Sequence, residues 1–427
     1  MEKCKWQSLS LSKVKMQNFF LKFKNSANTI AWSILAAAQF LPTYYSSYAI
    51  LLVLCSLIIN HTSIQWKAGL VNPLVVCWAA YLVWIGLSFF WSSNTKEATS
   101  MLSTQALLMI IPILYSLRPL NGIGLKWLGR LWYLAAFVAI YWALVYNIIR
   151  IQELNLMKWE DILPFFFYTE LANSVMHPGY FSLLIIGACF WLFTDVDLPK
   201  WAKRIGLVVL LLFLLMLSAR MTLLALAVTS FGVIIAKTYS KGKWALMKST
   251  AVISITLLMV WYFLPDATRS RFQELTSGFN YNIETYSLED YNSITIRLAQ
   301  WESAFEIILN QPWLGVGAGD YKDALWSTYA RNGFGVGIEQ SYNTHNQFIE
   351  NALIAGMPWA IGLLIILIYF VTLGLRKANT YFVAYIVFMF LCFQSETVLF
   401  WHRGILFFSL FAVLLYHKEF IYQNTGS

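Results

Sequence analysis

The stretch NALIAGMPWAIGLLIILIYFVTLGL (residues 351–375) contains no charged side chain and exceeds the roughly 20 residues a helix needs to cross the hydrocarbon core of a bilayer. Similar runs recur along the chain, and the expected spans lie at about 27–41, 44–60, 72–91, 98–117, 127–149, 177–194, 205–218, 221–236, 249–264, 351–375, 380–396 and 401–416. The 427 residues are 59% hydrophobic and only 12% charged, against about 25% charged in ordinary soluble domains. The expected fold is therefore an all-α integral membrane protein of about twelve transmembrane helices. One large outer loop, containing short helices, interrupts the series.

Orientation follows from the basic residues. With the N-terminus inside, the inner segments collect twenty of the thirty Lys and Arg, Arg130 at its span edge included, and each carries at least one. Lys dominates inside; seven of the ten outer residues are Arg, the side chain suited to forked recognition of phosphate or carboxylate. The chain then divides into a basic cytosolic tail over 1–26, spans one to nine over 27–264, the outer loop 265–350, spans ten to twelve over 351–416, and a cytosolic tail over 417–427. The first 26 residues have no apolar core, so they read as a tail and not as a cleavable leader. The net charge of +9 reflects attraction to anionic membrane lipids on the inner side; no nucleic-acid-binding pattern occurs. The five cysteines lie in the tail (Cys4) or within spans (Cys55, Cys77, Cys189, Cys392), with neither an outer pair nor a zinc spacing.

Immediately before residue 351 stands SYNTHNQFIE (341–350), a polar cluster at the mouth of a predicted helix. His345 is a titratable imidazole at that helix start, with Thr344 as its expected cap. The loop carrying it is acidic overall, which makes its arginines individually informative. Within the loop, 296–309 has helical periodicity, with Leu298, Trp301, Phe305 and Ile308 on one face and Ser293 or Thr295 as cap. Arg297 would then sit in the first turn, where a cation is unfavourable by a few tenths of a kcal/mol; an anionic ligand or Glu302 would compensate it. The glycines of QPWLGVGAG (311–319) either let backbone amides approach a phosphate or simply make a tight turn. His61 and His417 fall in inner segments and carry no functional signal.

Taken in order, Ser218-Ala219-Arg220, RLAQW (297–301), PWLGVGAG (312–319), and HNQFIE (345–350) with AGM (355–357) resemble the O-antigen ligase and O-antigen polymerase superfamily of bacterial envelope glycosyltransferases. The resemblance covers about 175–375; SETVLFWHRG (395–404) is also similar to some members. It implies transfer of a glycan from undecaprenyl diphosphate to an acceptor hydroxyl at the periplasmic face of the bacterial inner membrane, without metal or cofactor. Both termini would be cytoplasmic and the loop 265–350 periplasmic. Carried over by motif, Arg220 and Arg297 engage the diphosphate and His345 is the general base. His177 and Tyr180 line the cavity, and Asn346, Glu350, Glu396 and Arg403 support it. The acceptor is read as lipid A core, with a lipid-linked polymer or a protein as the alternatives. Such a donor already has a good leaving group. Two arginines stabilising its charge and an imidazole taking the hydroxyl proton suffice chemically.

Two other readings fit less well. A metal-dependent oligosaccharyltransferase needs acids in its early outer loops, but LPTYY (41–45) has none, the next loop only Glu97, and Asp161 and Glu170 lack a paired-metal spacing. A transporter of lipid-linked glycans predicts mid-membrane charges and broken helices in matched halves. Here the polar groups gather at the outer face.

Overall fold

Every side chain from Gly404 to Leu415 is buried. This segment is apolar on all sides, and a helix without a polar face belongs at the centre of an assembly. The computed structural model describes residues 26–61, 64–239, 241–245, 247–251, 262 and 293–417. Its main helices are α1 (26–38), α2 (Thr43–Ile59), α3 (Pro73–Leu87), α4 (Thr95–Gln105), α5 (Leu107–Leu117), α6 (Gly122–Glu153), α7 (Pro178–Thr194), α8 (Lys200–Met216), α9 (Arg220–Tyr239), α10 (Ser293–Asn310), α11 (Tyr321–Arg331), α12 (Gln347–Ala355), α13 (Met357–Arg376), α14 (Thr380–Phe393) and α15 (His402–Tyr416). No strand occurs among the described residues.

Around α15 pack α5, α7 and α14. Aromatic rings fill the contact: Phe411 meets Trp132 edge-on at 5.1 Å and stacks on Tyr385 at 5.8 Å. Buried polar atoms here bond to the backbone of a neighbouring helix, as Asn379 Nδ2 to Leu415 O at 2.7 Å and Tyr385 Oη to Phe408 O at 3.0 Å. Such bonds remove the cost of unpaired polar groups in an apolar interior. Among the described residues, five helical segments (Pro73–Trp91, Thr95–Leu117, Gly122–Glu153, Arg220–Tyr239 and Met357–Arg376) are long and apolar enough to cross a membrane. Four more apolar helices are shorter. Leu134, Val138, Tyr141 and Trp142 on α6, and Ile365 and Ile368 on α13, are each more than half exposed. Apolar faces of this extent suit a lipid surroundings. This is a multi-pass membrane protein.

Several expected boundaries move. The expected span 351–375 is two helices, α12 and α13, broken at Gly356 with φ +83°. The signal was present, since Pro358 follows and restricts its neighbour. At the break Met357 N–H donates to Pro312 O at 2.8 Å, while Val316 and Gly317 N–H donate to Leu353 and Ile354 O at 2.9 and 2.8 Å. Gly315 lies at φ +64°, where an added Cβ would collide with the Ile354 carbonyl. Ala318 and Gly319 N–H bond to the hydroxyls of Ser88 and Ser92 at 3.3 and 3.1 Å. Four successive amides of the glycine segment are therefore engaged within the protein, so the segment is a tight turn and not a phosphate cradle. α10 begins at Ser293, which places Arg297 beyond its first turn and removes the helix-dipole argument for a ligand there. The expected span 249–264, most of the first part of the 265–350 loop, and both tails lie almost wholly outside the described residues.

Candidate functional site

Segments far apart in sequence meet around one open cavity of about 860 Å³. Its wall includes Thr43, Glu97, His177, Tyr180, His345, Glu396 and Arg403. Each belongs to a stretch expected on the outer side. His345 has φ +45°, uncommon for a side chain with a Cβ. Such strain persists only where neighbours enforce it, and it concentrates at functional positions.

The enforcement comes from flanking amides. Asn343 Oδ1 accepts the His345 N–H at 2.9 Å, and Asn343 Nδ2 donates to Thr397 Oγ1 at 2.8 Å. Asn346, not the expected Thr344, caps α12: its Oδ1 accepts from Phe348 and Ile349 N–H at 2.9 and 3.1 Å. Its Nδ2 donates to Gln394 O at 3.2 Å. Gln347 Oε1 accepts the Leu399 N–H at 2.8 Å. Three contacts, from Asn343, Asn346 and Gln347, thus lace the histidine segment to residues 394–399, which carry Glu396. Thr344 faces inward and serves the buried Glu350, whose Oε2 accepts its N–H at 3.0 Å and its hydroxyl at 2.6 Å. Trp301 Nε1 donates to Thr344 O at 2.9 Å and ties α10, one turn after Arg297, to the same loop.

Glu396 follows the end of α14, in the connection to α15, and its Oε2 lies 3.5 Å from His345 Nδ1. This is ion-pair distance, long for a hydrogen bond. Burial pushes the Glu396 carboxyl up, but the adjoining His345 and the charges of His177 and Arg297 outweigh it and hold the group below the usual carboxylate range. His177 caps α7 through Nδ1, which accepts the Gly179 N–H at 3.2 Å, and its ring meets Tyr180 edge-on at 6.0 Å. The side chains of His345 and Glu396 keep 24% and 21% exposure, so both are reachable from the cavity.

His345, His177, Tyr180, Glu396 and Arg403 share the cavity wall, and Arg297 lies within electrostatic reach of Glu396 and His177. Arg220, 8% exposed at the start of α9, is not in the lining. Neither is Glu350, 1% exposed, whose carboxyl burial pushes up despite its bonds to Thr344. Sequence reasoning missed Asn343, Gln347 and Thr397, which hold the histidine segment, and the Lys322–Glu97 pair on the wall. No signal in the chain marks partners separated by fifty residues or more. Among the described residues, no three His, Cys, Asp or Glu side chains converge as metal ligands would.

Residues 205–364 match the family model described as O-antigen ligase. The match takes in Arg220, Arg297, the glycine turn and His345, and bears out the resemblance to that superfamily read from these motifs. His177 and the segment 395–404 lie outside it. No curated protein matches the chain.

Proposed function

We propose that this protein transfers a glycan from undecaprenyl diphosphate to an acceptor hydroxyl at the periplasmic face of the bacterial inner membrane, with lipid A core as the acceptor. The observation that carries the proposal is His345 on an open cavity with Glu396 at 3.5 Å and the charge of Arg297 in reach. The family match supports glycosyl transfer of the O-antigen type in general; donor, acceptor and membrane side are the proposal's own.

The chemistry follows from the orientation of the ring. Nδ1 faces Glu396, so the carboxylate favours the tautomer with its proton on Nδ1 and leaves the Nε2 lone pair for substrate. Nε2 takes the acceptor O–H proton as the acceptor oxygen bonds to the anomeric carbon. The bond from that carbon to the diphosphate oxygen breaks, and its electron pair leaves with undecaprenyl diphosphate. Arg297 and Arg220 stabilise that charge by forked hydrogen bonds. The step needs no metal and no cofactor.

The test is reconstitution of the purified chain in liposomes with a glycan on undecaprenyl diphosphate and lipid A core. Glycosylated lipid A core should form, at an unchanged rate with a chelator present. Product on a second lipid-linked glycan or on a protein would reassign the acceptor, and no transfer to any hydroxyl would end the proposal. Location is checked separately with Ser327→Cys, at an exposed position on α11. It should react with a membrane-impermeant thiol reagent in intact spheroplasts; labelling only after lysis would put the cavity on the wrong side.

A further inference from the structure

Most of the charge on the cavity wall is matched in pairs. Lys322 bonds to Glu97, and His345 faces Glu396. Arg403 is different, for no acid lies within ion-pair distance of it among the described residues. Its Nη2 donates to Leu41 O at 2.9 Å, which fixes the guanidinium in the wall and brings no negative charge. Its Nε is buried with no hydrogen-bond partner, and so is Nδ1 of the adjacent His402. Both residues line the cavity.

Their position adds a second, independent argument. His402 and Arg403 open α15, a 15-residue helix whose N-cap, Trp401, offers no capping side chain and whose first turn has no acid. Cations at a helix N-terminus oppose the positive end of its dipole, whereas an anion there is stabilised by it. A guanidinium with no acid beside it, its unpartnered Nε and an uncapped helix start all lack negative charge, and His402 adds a ring nitrogen that also has no partner. Arg297, whose charge acts on Glu396 and His177, belongs to another part of the site; Arg403 is not among the charges acting on those two groups.

We infer that Arg403 and His402 form an anion subsite that holds a phosphate or carboxylate of the acceptor while His345 takes the proton of its hydroxyl. This rests on the glycosyl-transfer reading above. The acceptor is then an anionic molecule whose charged group lies within one cavity's reach of the glycosylated oxygen. Guanidinium recognition of phosphate is bidentate and charge-assisted, so lysine at this position substitutes poorly.

Binding without donor separates this inference from the transfer reaction. The full-length protein, in phosphatidylcholine nanodiscs that carry no anionic lipid, is titrated with a phosphorylated core glycolipid and with the same glycolipid after phosphatase treatment. The wild-type protein should bind the phosphorylated form at least about tenfold more tightly, the scale of one charge-assisted hydrogen bond. Arg403→Gln should bind both forms equally, and Arg403→Lys should fall between. Inorganic phosphate should compete with the phosphorylated glycolipid on the wild-type protein. Melting temperatures check folding; where Arg403→Gln is destabilised, His402→Gln and Arg403→Lys decide. Equal binding of the two forms by the wild-type protein, or a full preference retained in Arg403→Gln, would overturn the subsite. Weakened binding of the undecaprenyl diphosphate donor in Arg403→Gln, with acceptor binding intact, would overturn it too by assigning Arg403 to the donor. Failure of transfer in the reconstituted system would instead strike the glycosyl-transfer reading and leave this binding result to stand on its own.

Discussion

His345 and His417 occupy opposite kinds of surroundings in the same molecule. His345 lines an open cavity, held at a strained φ by amide side chains, with a carboxylate in front of one ring nitrogen. His417 sits where stretches expected inside converge, beside a groove of about 780 Å³ lined by Trp66, Lys67, Lys377 and Tyr416. Its Nε2 lies 3.1 Å from Ser116 Oγ and 3.4 Å from Asn72 Nδ2, and Tyr115 and Tyr416 meet its ring edge-on. Burial, with Lys377 adding to it, pushes the imidazole down to about 4, so it is neutral at pH 7. One histidine is a satisfied acceptor locking helix ends together. The other has a partner that orients it and an open face. Both rings border open space; the acid in front of the ring, against hydrogen-bonding neighbours that hold it, distinguishes a base from a strut.

Mutating each histidine in turn should separate the base from the strut by the largest margin. His345→Ala and His345→Gln should each lower transfer by about 10²–10⁴-fold, the usual range for a lost general base. Donor binding should survive. His417→Leu should leave transfer near the wild-type level but cost about 1–3 kcal/mol of stability, because Asn72 and Ser116 lose a buried partner. Rates and melting curves measured on the same preparations decide it. Near-normal transfer by His345→Gln would make that residue a positioning group.

A smaller effect sharpens the electrostatic side. Arg297→Lys keeps the charge and loses the fork, so donor turnover should fall about 10- to 100-fold, the weight of one charge-assisted hydrogen bond. Arg220→Lys should behave alike. Arg331, which pairs with Glu306 at 2.6 Å on an exposed face, should tolerate the same change in a donor-release assay. Equal loss in all three would show that the effect of losing the fork is general and not specific to donor recognition.

The smallest expected effect concerns the buried acid beneath the site. Glu350 has its folded-state pKa raised above the unfolded value by burial. The folded protein therefore holds this proton to higher pH than the unfolded chain does. The stability it contributes is full below the ordinary glutamate range of about pH 4 and is lost as pH rises through the raised value. The stability of the wild-type protein relative to Glu350→Gln should decline over that window in thermal melts. A gap independent of pH would mean Glu350 does not titrate there.

How much of this was legible depended on range. The uncharged run at 357–375 and the polar cluster around His345 announce themselves, because local composition decides them. Asn343, Thr344 and Asn346 are all competent caps within four residues, and only contacts with 394–399 select Asn346. Thr344 does not cap the helix because the buried Glu350 claims its hydroxyl. The pairing of His345 with Glu396, and of Arg403 with the Leu41 carbonyl, depends on how helices pack and leaves no periodicity to read. The break at Gly356 was readable from Pro358, yet the uniform apolarity of the stretch concealed it.

That break has a mechanical consequence. Bilayers differ in thickness by several ångströms, and spanning helices answer by tilting. A continuous rod from 347 to 376 would carry such a tilt directly into the loop that holds His345. With the axis interrupted at Gly356, and α12 clamped to the 312–317 turn, rotation of α13 can be absorbed at one glycine joint. The joint thus offers a place where a tilt of α13 need not be passed on to the geometry around the imidazole.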